Sequence, residues 1–202
     1  MKIAIIDYGS GNLQSVVNAI ESLGIKDILI TNKKQDLKKA THLILPGVGA
    51  FGDCIDGIRA HEGLADEMRY QAVVECKPFL GICVGMQVLA SVGYENGEHK
   101  GLNLIEGEVK KIEAKIVPHM GWNQLEIKQE HPLLKGIKNG DHVYFANSFH
   151  FICYDKSSIL AQIDYGFKMN AILTKGNIFG IQFHPEKSGE VGLKILENFL
   201  NI

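Results

Sequence analysis

Short apolar runs alternate with amphipathic stretches through the first half of the chain. The apolar runs predict buried strands at residues 2–6, 27–31, 42–45 and 78–82. Apolar residues at helical spacing predict helices at residues 13–23, within 53–75 as one or two helices, and at 84–91. Ser10 or Asn12 is available as the N-cap of the first helix, and Gly24 follows its end. This alternation predicts a parallel sheet with right-handed crossovers.

Strands dominate the second half of the chain. Runs of strand-forming residues, several of them separated by turn signals, occupy residues 108–112, 123–127, 142–149, 159–163, 170–174 and 178–183. A final helix is predicted at about residues 189–200. No low-complexity linker, internal repeat or block of charge interrupts the chain, so we predict one α/β domain over residues 1–202. Its site should lie at the carboxyl ends of the parallel strands.

The composition is that of an ordinary globular protein, because 46% of its 202 residues are hydrophobic, 22% are charged and the formal net charge is −2. Neutralising phosphates requires clustered Lys and Arg, so this balance argues against a nucleic-acid or anionic-membrane partner. Apolar runs such as residues 3–6 are far shorter than the ~20 residues of a membrane-spanning helix. Asp7 follows the first run too soon for a signal peptide, and we therefore expect a cytoplasmic protein.

The four cysteines, at positions 54, 76, 83 and 153, are widely spaced. They form no CxxC pair and no Cys/His cluster of the zinc type, so neither a disulfide framework nor a metal site is predicted. A buried structural role is favoured for Cys54, Cys76 and Cys153, because none of them has a glycine two residues away on both sides, as in Gly-x-Cys-x-Gly. Cys83 differs from the others in this respect.

Two glycine-rich segments follow predicted strands. Residues 9–14 superficially resemble a dinucleotide fingerprint, but Gln14 stands where the third glycine is required and no acid ends the second strand. A tight turn is the better interpretation, and no cofactor is predicted. Residues 46–52 contain three glycines and can turn a backbone N–H toward Cys83 as an oxyanion donor. They could also bind phosphate, but the Gly-Lys-Ser/Thr ending of a P-loop is missing.

The strongest chemical signal is the segment Gly81-Ile82-Cys83-Val84-Gly85, which follows a predicted strand and precedes a predicted helix. This is the arrangement of a nucleophile elbow, with Cys in the place of Ser. The flanking glycines are expected to allow a sharp turn and to leave room for a substrate near the sulfur. The N-terminus of the following helix favours the thiolate, which is the reactive form of cysteine.

A histidine and a carboxylate at the end of a late strand can serve this nucleophile. His184 follows the apolar run 178–183, and Glu186 comes two residues later. Pro185 keeps His184 extended, and positions i and i+2 of an extended segment face the same side. We therefore predict that Glu186 orients the imidazole while His184 transfers protons.

The chain resembles the class I (triad) glutamine amidotransferases, and more narrowly the glutaminase-subunit family of imidazole glycerol phosphate synthases. The likeness extends over essentially the whole chain and rests on residues 7–13, 46–53, 81–87, 118–123 and 180–189. It implies a flavodoxin-like class I glutaminase fold, with a mostly parallel central sheet, flanking helices and a β-rich second half.

The resemblance also implies a role for each matching residue. Cys83 would attack the side-chain amide of L-glutamine and form a thioester, with His184 and Glu186 as its partners. Further residues are implied for the oxyanion loop, at Gly47, Val48 and Gly49, and for glutamine binding, at Gln87, Glu95, Ser148 and Phe149. The ammonia would pass to a (β/α)₈-barrel cyclase subunit in histidine biosynthesis, so that the two chains form a heterodimer. The surface implied to face this subunit includes Met120, Trp122, Asn123 and Lys187; for Trp122 a place in the core is the alternative.

One segment departs from the family pattern. The family usually has His at the position of Asn147 and Tyr at that of Phe149, and neither replacement supplies the lost group. The departure leaves open which partner receives the ammonia, and a paralogous glutaminase that supplies a sugar-amidating synthase for surface polysaccharide is the first alternative. A free-standing cysteine hydrolase and a non-catalytic module with the same fold are the others.

Overall fold

The computed structural model describes residues 1–9 and 12–202. Ser10, one of the two predicted N-caps, lies outside the described residues. The strands are β1 Ile3–Ile6, β2 Ile28–Thr31, β3 His42–Gly47, β4 Phe79–Cys83, β5 Val92–Gly93, β6 His99–Lys100, β7 Gly107–Lys111, β8 His119–Gln124, β9 Glu126–Ile127, β10 His142–Asn147, β11 Phe149–Cys153, β12 Ile159–Asp164, β13 Lys168–Lys175 and β14 Ile178–Ile181. The α-helices are α1 Leu13–Ser22, α2 Lys34–Lys39, α3 Phe51–Ala60, α4 Leu64–Val73, α5 Val84–Gln87 and α6 Gly189–Leu200.

An eight-stranded sheet in the order β2-β1-β3-β4-β14-β13-β12-β9 forms the centre of the molecule. Its first five strands are parallel, and the remaining three continue it antiparallel. The parallel part has the strand order of flavodoxin-like folds, with β14 in the fifth place. A two-stranded sheet, β10-β8, and a four-stranded sheet, β11-β7-β5-β6, complete the β-rich second half. The predicted α/β class and its mostly parallel sheet are confirmed.

The central strands are apolar on both faces because helices cover both. Every residue of β1, β3, β4 and β14 is buried, as expected for a parallel sheet inside a domain. Helix α1 contacts α6, and α4 contacts both α2 and α3. Phe179 of β14 packs edge-on against Phe199 of α6, and burying each such ring contributes about 1.5–3 kcal/mol.

Several predicted boundaries are wrong, each for a local reason. The run 123–127 is not one strand, because β8 already begins at His119 and β9 is separate; the run 142–149 is divided at Ser148. The helix predicted at 84–91 ends at Gln87, because the backbone N–H groups of Leu89 and Ala90 donate to carbonyls three residues back and tighten the turn. Helix α2 was not predicted, since it buries only Leu37.

Candidate active site

Cys83 lies at a strained bend between β4 and α5. Its backbone angles are φ 55° and ψ −113°, in a region that side chains rarely adopt and that costs about 1–3 kcal/mol. The residue occupies the N-cap position of α5 and is 4% exposed. The sequence therefore produces the sharp strand-to-helix turn that the elbow motif predicts.

The glycines around this bend are required by close packing rather than by backbone freedom. A Cβ on Gly81 would lie 2.4 Å from the carbonyl oxygen of Gly85, and one on Gly85 would lie 1.8 Å from that of Leu45. A Cβ on Gly47 would lie 2.5 Å from the Gly85 nitrogen. None of these three glycines has a positive φ. The flanking glycines therefore serve the turn, through close packing: Gly81 and Gly85 approach each other across the bend, and Gly47 and Gly85 let β3 lie close enough to support Cys83.

His184 and Glu186 are joined by a hydrogen bond of 2.9 Å between Nδ1 and Oε1. The predicted geometry is wrong in one respect, because residues Pro185–Lys187 form a 3₁₀ turn rather than an extended segment, and this turn brings the carboxylate back to the imidazole. The His184 backbone is anchored on both sides: its N–H donates to the Tyr144 carbonyl, and its carbonyl accepts from the Ser188 hydroxyl. The ring is therefore fixed in orientation.

The imidazole of His184 also reaches Cys83, and this contact changes its protonation. Burial on its own lowers the pKa of His184, but hydrogen bonds with Cys83 and Glu186 outweigh burial and raise the pKa to about 9. The imidazolium form is thus favoured at neutral pH. A positive charge beside the sulfur stabilises the thiolate, so the pair can hold a nucleophile and a proton donor at the same time.

A cavity of about 290 Å³ opens in front of the sulfur, a size that suits a small ligand. The structure brings together in its lining most of the predicted site residues, namely Val48, Gly49, Cys83, Gln87, Glu95, Ser148, Phe149 and His184. Lys187, predicted for the partner surface, also lines this cavity. Gly47 is not in the lining; it is paired with Cys83 between the neighbouring strands β3 and β4. The cavity thus brings together the Cys83 sulfur, the His184 imidazole and the predicted glutamine-binding groups.

The carboxylate of Glu95 is held at the start of a helix. Its Oε2 accepts a hydrogen bond of 2.8 Å from the backbone N–H of Phe51, the first residue of α3. The positive end of the helix dipole stabilises a negative charge there. Glu95 is therefore positioned as an anionic acceptor at one side of the cavity.

Sequence reasoning missed two polar residues at the site. Gln182 follows β14, is 1% exposed, and accepts a hydrogen bond of 3.1 Å from Gln87. Asn147 lines the cavity and donates one of 2.9 Å to the Phe149 carbonyl. The available signal for Gln182 was a lone polar residue inside the apolar run 178–183; for Asn147 it was the departure from the family pattern.

The predicted partner residues on β8 divide between its two faces. Met120 and Trp122 are 66% and 56% exposed, and Trp122 meets Tyr144 of β10 edge-on. The alternative of a core tryptophan is therefore wrong. Asn123 points the other way, as alternation along a strand requires, and its amide donates to the Asp164 carbonyl. On β8, therefore, Met120 and Trp122 form an exposed apolar face, and Asn123 lies on the opposite face.

Within residues 1–9 and 12–202, no helix is long and apolar enough to cross a membrane. The same residues contain no group of three or more His, Cys, Asp or Glu side chains that could hold a metal ion.

Cys54 and Cys153 are buried as predicted, whereas Cys76 is exposed and the prediction for it is wrong. Cys54 therefore offers a matched comparison for Cys83. Burial raises the pKa of Cys54 to about 12, so its thiol stays protonated and unreactive at neutral pH. We expect iodoacetamide to leave Cys54 unmodified, as measured by mass spectrometry of the folded protein. Cys54→Ala should keep activity within about threefold and cost about 1–2 kcal/mol of unfolding free energy. A loss of activity as large as that of a Cys83 variant would contradict the distinction.

The chain matches the family described as "Glutamine amidotransferase class-I" over residues 4–202. A relative from Pelagibacter ubique is 44% identical over 209 residues and spans 100% of both chains. One from Caldanaerobacter subterraneus subsp. tengcongensis is 47% identical over 198 residues, covering 98% of this chain and 96% of its own. Both relatives are named imidazole glycerol phosphate synthase subunit HisH.

Solved structures agree with the fold. A crystal structure of a glutamine amidotransferase superimposes with a TM-score of 0.79 at 22% identity, covering 100% of this chain and 98% of its own. A glutamine amidotransferase from Thermotoga maritima gives a TM-score of 0.66 at 17% identity, with 100% and 83% coverage.

Proposed function

The chain belongs to the class-I glutamine amidotransferase family, and on that premise we propose that it is the glutamine-hydrolysing subunit of an imidazole glycerol phosphate synthase. The observation that carries the activity is Cys83 at its strained bend, in contact with a His184 that Glu186 holds. The choice of synthase is supported by full-length relatives with that name. We further propose that residues 1–202 form one amidotransferase domain and that it works in the cytoplasm, in keeping with free thiols at all four cysteines.

The proposed reaction uses Cys83 as the nucleophile and the protonated His184 as the proton donor. The Cys83 thiolate attacks the side-chain carbonyl carbon of glutamine, and the resulting oxyanion collapses to a thioester as the C–N bond breaks. His184 gives its proton to the departing ammonia. The now neutral imidazole removes a proton from water, which attacks the thioester and releases glutamate. Glu186 keeps the ring in the orientation that both steps need.

The glycine-rich loop after β3 is the proposed oxyanion hole. Gly47 is paired directly with Cys83 between neighbouring strands, and Val48 and Gly49 extend from it into the cavity lining. Gly49 has a φ of 94°, a conformation that glycine adopts without strain. The backbone N–H groups of Val48 and Gly49 can therefore approach the carbonyl oxygen that Cys83 attacks.

Glutamine recognition is assigned to the polar groups at the other side of the cavity. Glu95 presents a carboxylate and Gln87 an amide, and both suit the α-ammonium group of an amino acid. The backbone of Ser148 and Phe149 completes that wall. The cavity would thereby hold the two ends of glutamine apart and place its side-chain amide at the sulfur.

The proposed partner is a (β/α)₈-barrel cyclase subunit that takes the ammonia directly, because ammonia released into water is protonated and lost. The contact surface would be built around Met120 and Trp122, which are large, apolar and exposed. Lys187, which the resemblance also assigns to this surface, lines the cavity in front of Cys83. Buried aromatic residues of this kind commonly dominate binding energy once an interface forms.

Replacing Trp122 tests this surface. We expect Trp122→Ala to weaken binding of the cyclase by about 10- to 100-fold, because a central aromatic anchor is worth roughly 2 kcal/mol or more. Titration calorimetry with the two purified proteins measures the effect. Tyr70→Ala is the control, since Tyr70 is 48% exposed but lies on α4. Equal affinities of the two variants for the cyclase would show that Trp122 on β8 does not lie in the interface.

A paralogous glutaminase that serves a sugar-amidating synthase is the second candidate, and the segment 147–149 favours it. Asn147 and Phe149 stand where the family usually has His and Tyr. Both line the cavity, but neither is part of the His184 and Glu186 pair to which the proton transfers are assigned. The Cys83, His184 and Glu186 arrangement is shared by both candidates.

Ammonia release from glutamine, measured with and without a cyclase from the same organism, separates the candidates. Stimulation by the cyclase, together with formation of imidazole glycerol phosphate, supports the first. Glutaminase activity that responds only to a sugar-amidating enzyme supports the second. Rapid hydrolysis of peptides or esters by the chain alone, without preference for glutamine, would replace both with a free-standing cysteine hydrolase.

A further inference from the structure

A buried amide connects the nucleophile to the glutamine-binding wall. We propose that Gln182 is a positioning residue that fixes Gln87 as a hydrogen-bond acceptor for the substrate and supports the Cys83 sulfur from behind. The inference rests on the proposed function, because it assigns Gln87 to glutamine. Gln182 is 1% exposed, so its two polar ends can be satisfied only by neighbours inside the protein.

Both amide hydrogens of Gln87 have acceptors inside the protein. One donates to the Phe149 carbonyl at 3.0 Å, and the other donates to Oε1 of Gln182 at 3.1 Å. A carboxamide has only two such hydrogens, so the nitrogen of Gln87 has none left for a ligand. Gln87 therefore meets the substrate through its oxygen, which accepts from an N–H group. Without Gln182 the amide could turn over and present a donor instead.

The amide nitrogen of Gln182 faces the Cys83 sulfur. Its Nε2 lies 4.0 Å from the Cys83 sulfur, at the outer range of a hydrogen bond to sulfur. An N–H directed at a thiolate stabilises its negative charge, in addition to the imidazolium of His184. A single side chain thus contacts both the group that attacks glutamine and the group that binds it.

Only an amide fits both contacts of position 182. An apolar side chain here would leave the Gln87 amide without its acceptor, and an unpaired buried polar group is destabilising. A glutamate would keep the acceptor but place a second negative charge beside the sulfur. The Phe149 carbonyl also accepts from Asn147 at 2.9 Å, so Gln87 and Asn147 share one acceptor, and Gln182 is connected to that carbonyl through Gln87.

A double-mutant cycle tests the Gln87 contact in a Cys83→Ala background, where glutamine binds without turnover. We expect Gln182→Met to weaken glutamine binding by about tenfold, measured by titration calorimetry. The Gln182→Met, Gln87→Met double variant should bind no more weakly than Gln87→Met alone, because residues that act through each other are not additive. Gln71→Met is the control: Gln71 is 3% exposed on α4, and its replacement should change the dissociation constant by less than about twofold.

A second measurement tests the sulfur contact with a different variant, so it does not depend on whether Gln182→Met folds. In a Cys76→Ser background, which removes the exposed thiol, we expect Gln182→Glu to slow alkylation of Cys83 by iodoacetamide about tenfold. Glutamine affinity should stay within about threefold, since the acceptor remains. Unchanged alkylation, unchanged glutamine affinity in Gln182→Met, or independent effects in the cycle would each overturn the proposal. If the unaltered chain with its cyclase releases no ammonia from glutamine, the proposed function itself fails instead.

Discussion

Cys83→Ser is expected to fold, to bind the cyclase and to lose at least about 10³-fold of its ammonia release from glutamine, as removal of an enzyme nucleophile typically does. Serine fills nearly the same volume, so the packing of Gly81 and Gly85 around the bend is unaffected. Its hydroxyl, however, is far harder to ionise than a thiol, and the imidazolium of His184 cannot compensate for this difference. A coupled assay for ammonia, with the cyclase present, measures the loss.

Cys54→Ser and Cys153→Ser serve as controls for this substitution, since both residues are buried free cysteines outside the cavity lining. They should retain most of the activity. The thermal unfolding midpoint and calorimetric binding of the cyclase establish that the Cys83→Ser protein is intact. Ammonia release by that protein at the rate of the unaltered chain would refute the nucleophile assignment.

His184→Asn is expected to lower the turnover number for glutamine by about 10² to 10⁴, the usual contribution of general acid–base catalysis. Asparagine can still donate to Glu186, but it cannot carry a proton to ammonia or remove one from water. Steady-state ammonia release with the cyclase present measures this effect. His42→Asn is the matched control, because His42 is 7% exposed and begins β3, at the end of the sheet away from the cavity. Equal losses in the two variants would show that a packing residue had been taken for the base.

The same histidine makes the stability of the protein depend on pH. Its pKa is raised from 6.5 to about 9 in the folded protein, so the folded chain binds the proton more tightly than the unfolded chain. The resulting stabilisation is complete below about pH 6.5 and is lost as the pH rises through 9. Urea unfolding of the unaltered chain and of His184→Asn should therefore show a difference in unfolding free energy that shrinks between pH 6.5 and 9. A difference that does not change over this range would contradict the raised pKa.

Strong periodicity made part of the fold predictable from the sequence. Helix α6 spans Gly189–Leu200, the residues predicted from its apolar face, and the first four strands lie within a residue or two of the predicted runs. The bend at Cys83 was also predictable, because Gly-x-Cys-x-Gly between a strand and a helix is the pattern of a nucleophile elbow. In each case the signal is local.

The remainder depends on neighbours that are distant in the sequence. Nothing within residues 81–87 reveals that Gly85 touches Leu45 or that Gly47 is paired with Cys83. The division at Ser148 follows from the pairing of β10 with β8 and of β11 with β7. Gln182 was missed for the same reason, since a single amide in an apolar strand gains its meaning only from the groups that surround it.

The position of β14 in the central sheet has a consequence for the newly made protein. This strand lies directly between β4 and β13, and Gln182 contacts Cys83 although the two residues are 99 positions apart. Such distant pairings form late during folding. A nascent chain on the ribosome thus carries Cys83 long before His184 is translated, and we expect it to hydrolyse no glutamine until that residue has been made and β14 has joined the sheet.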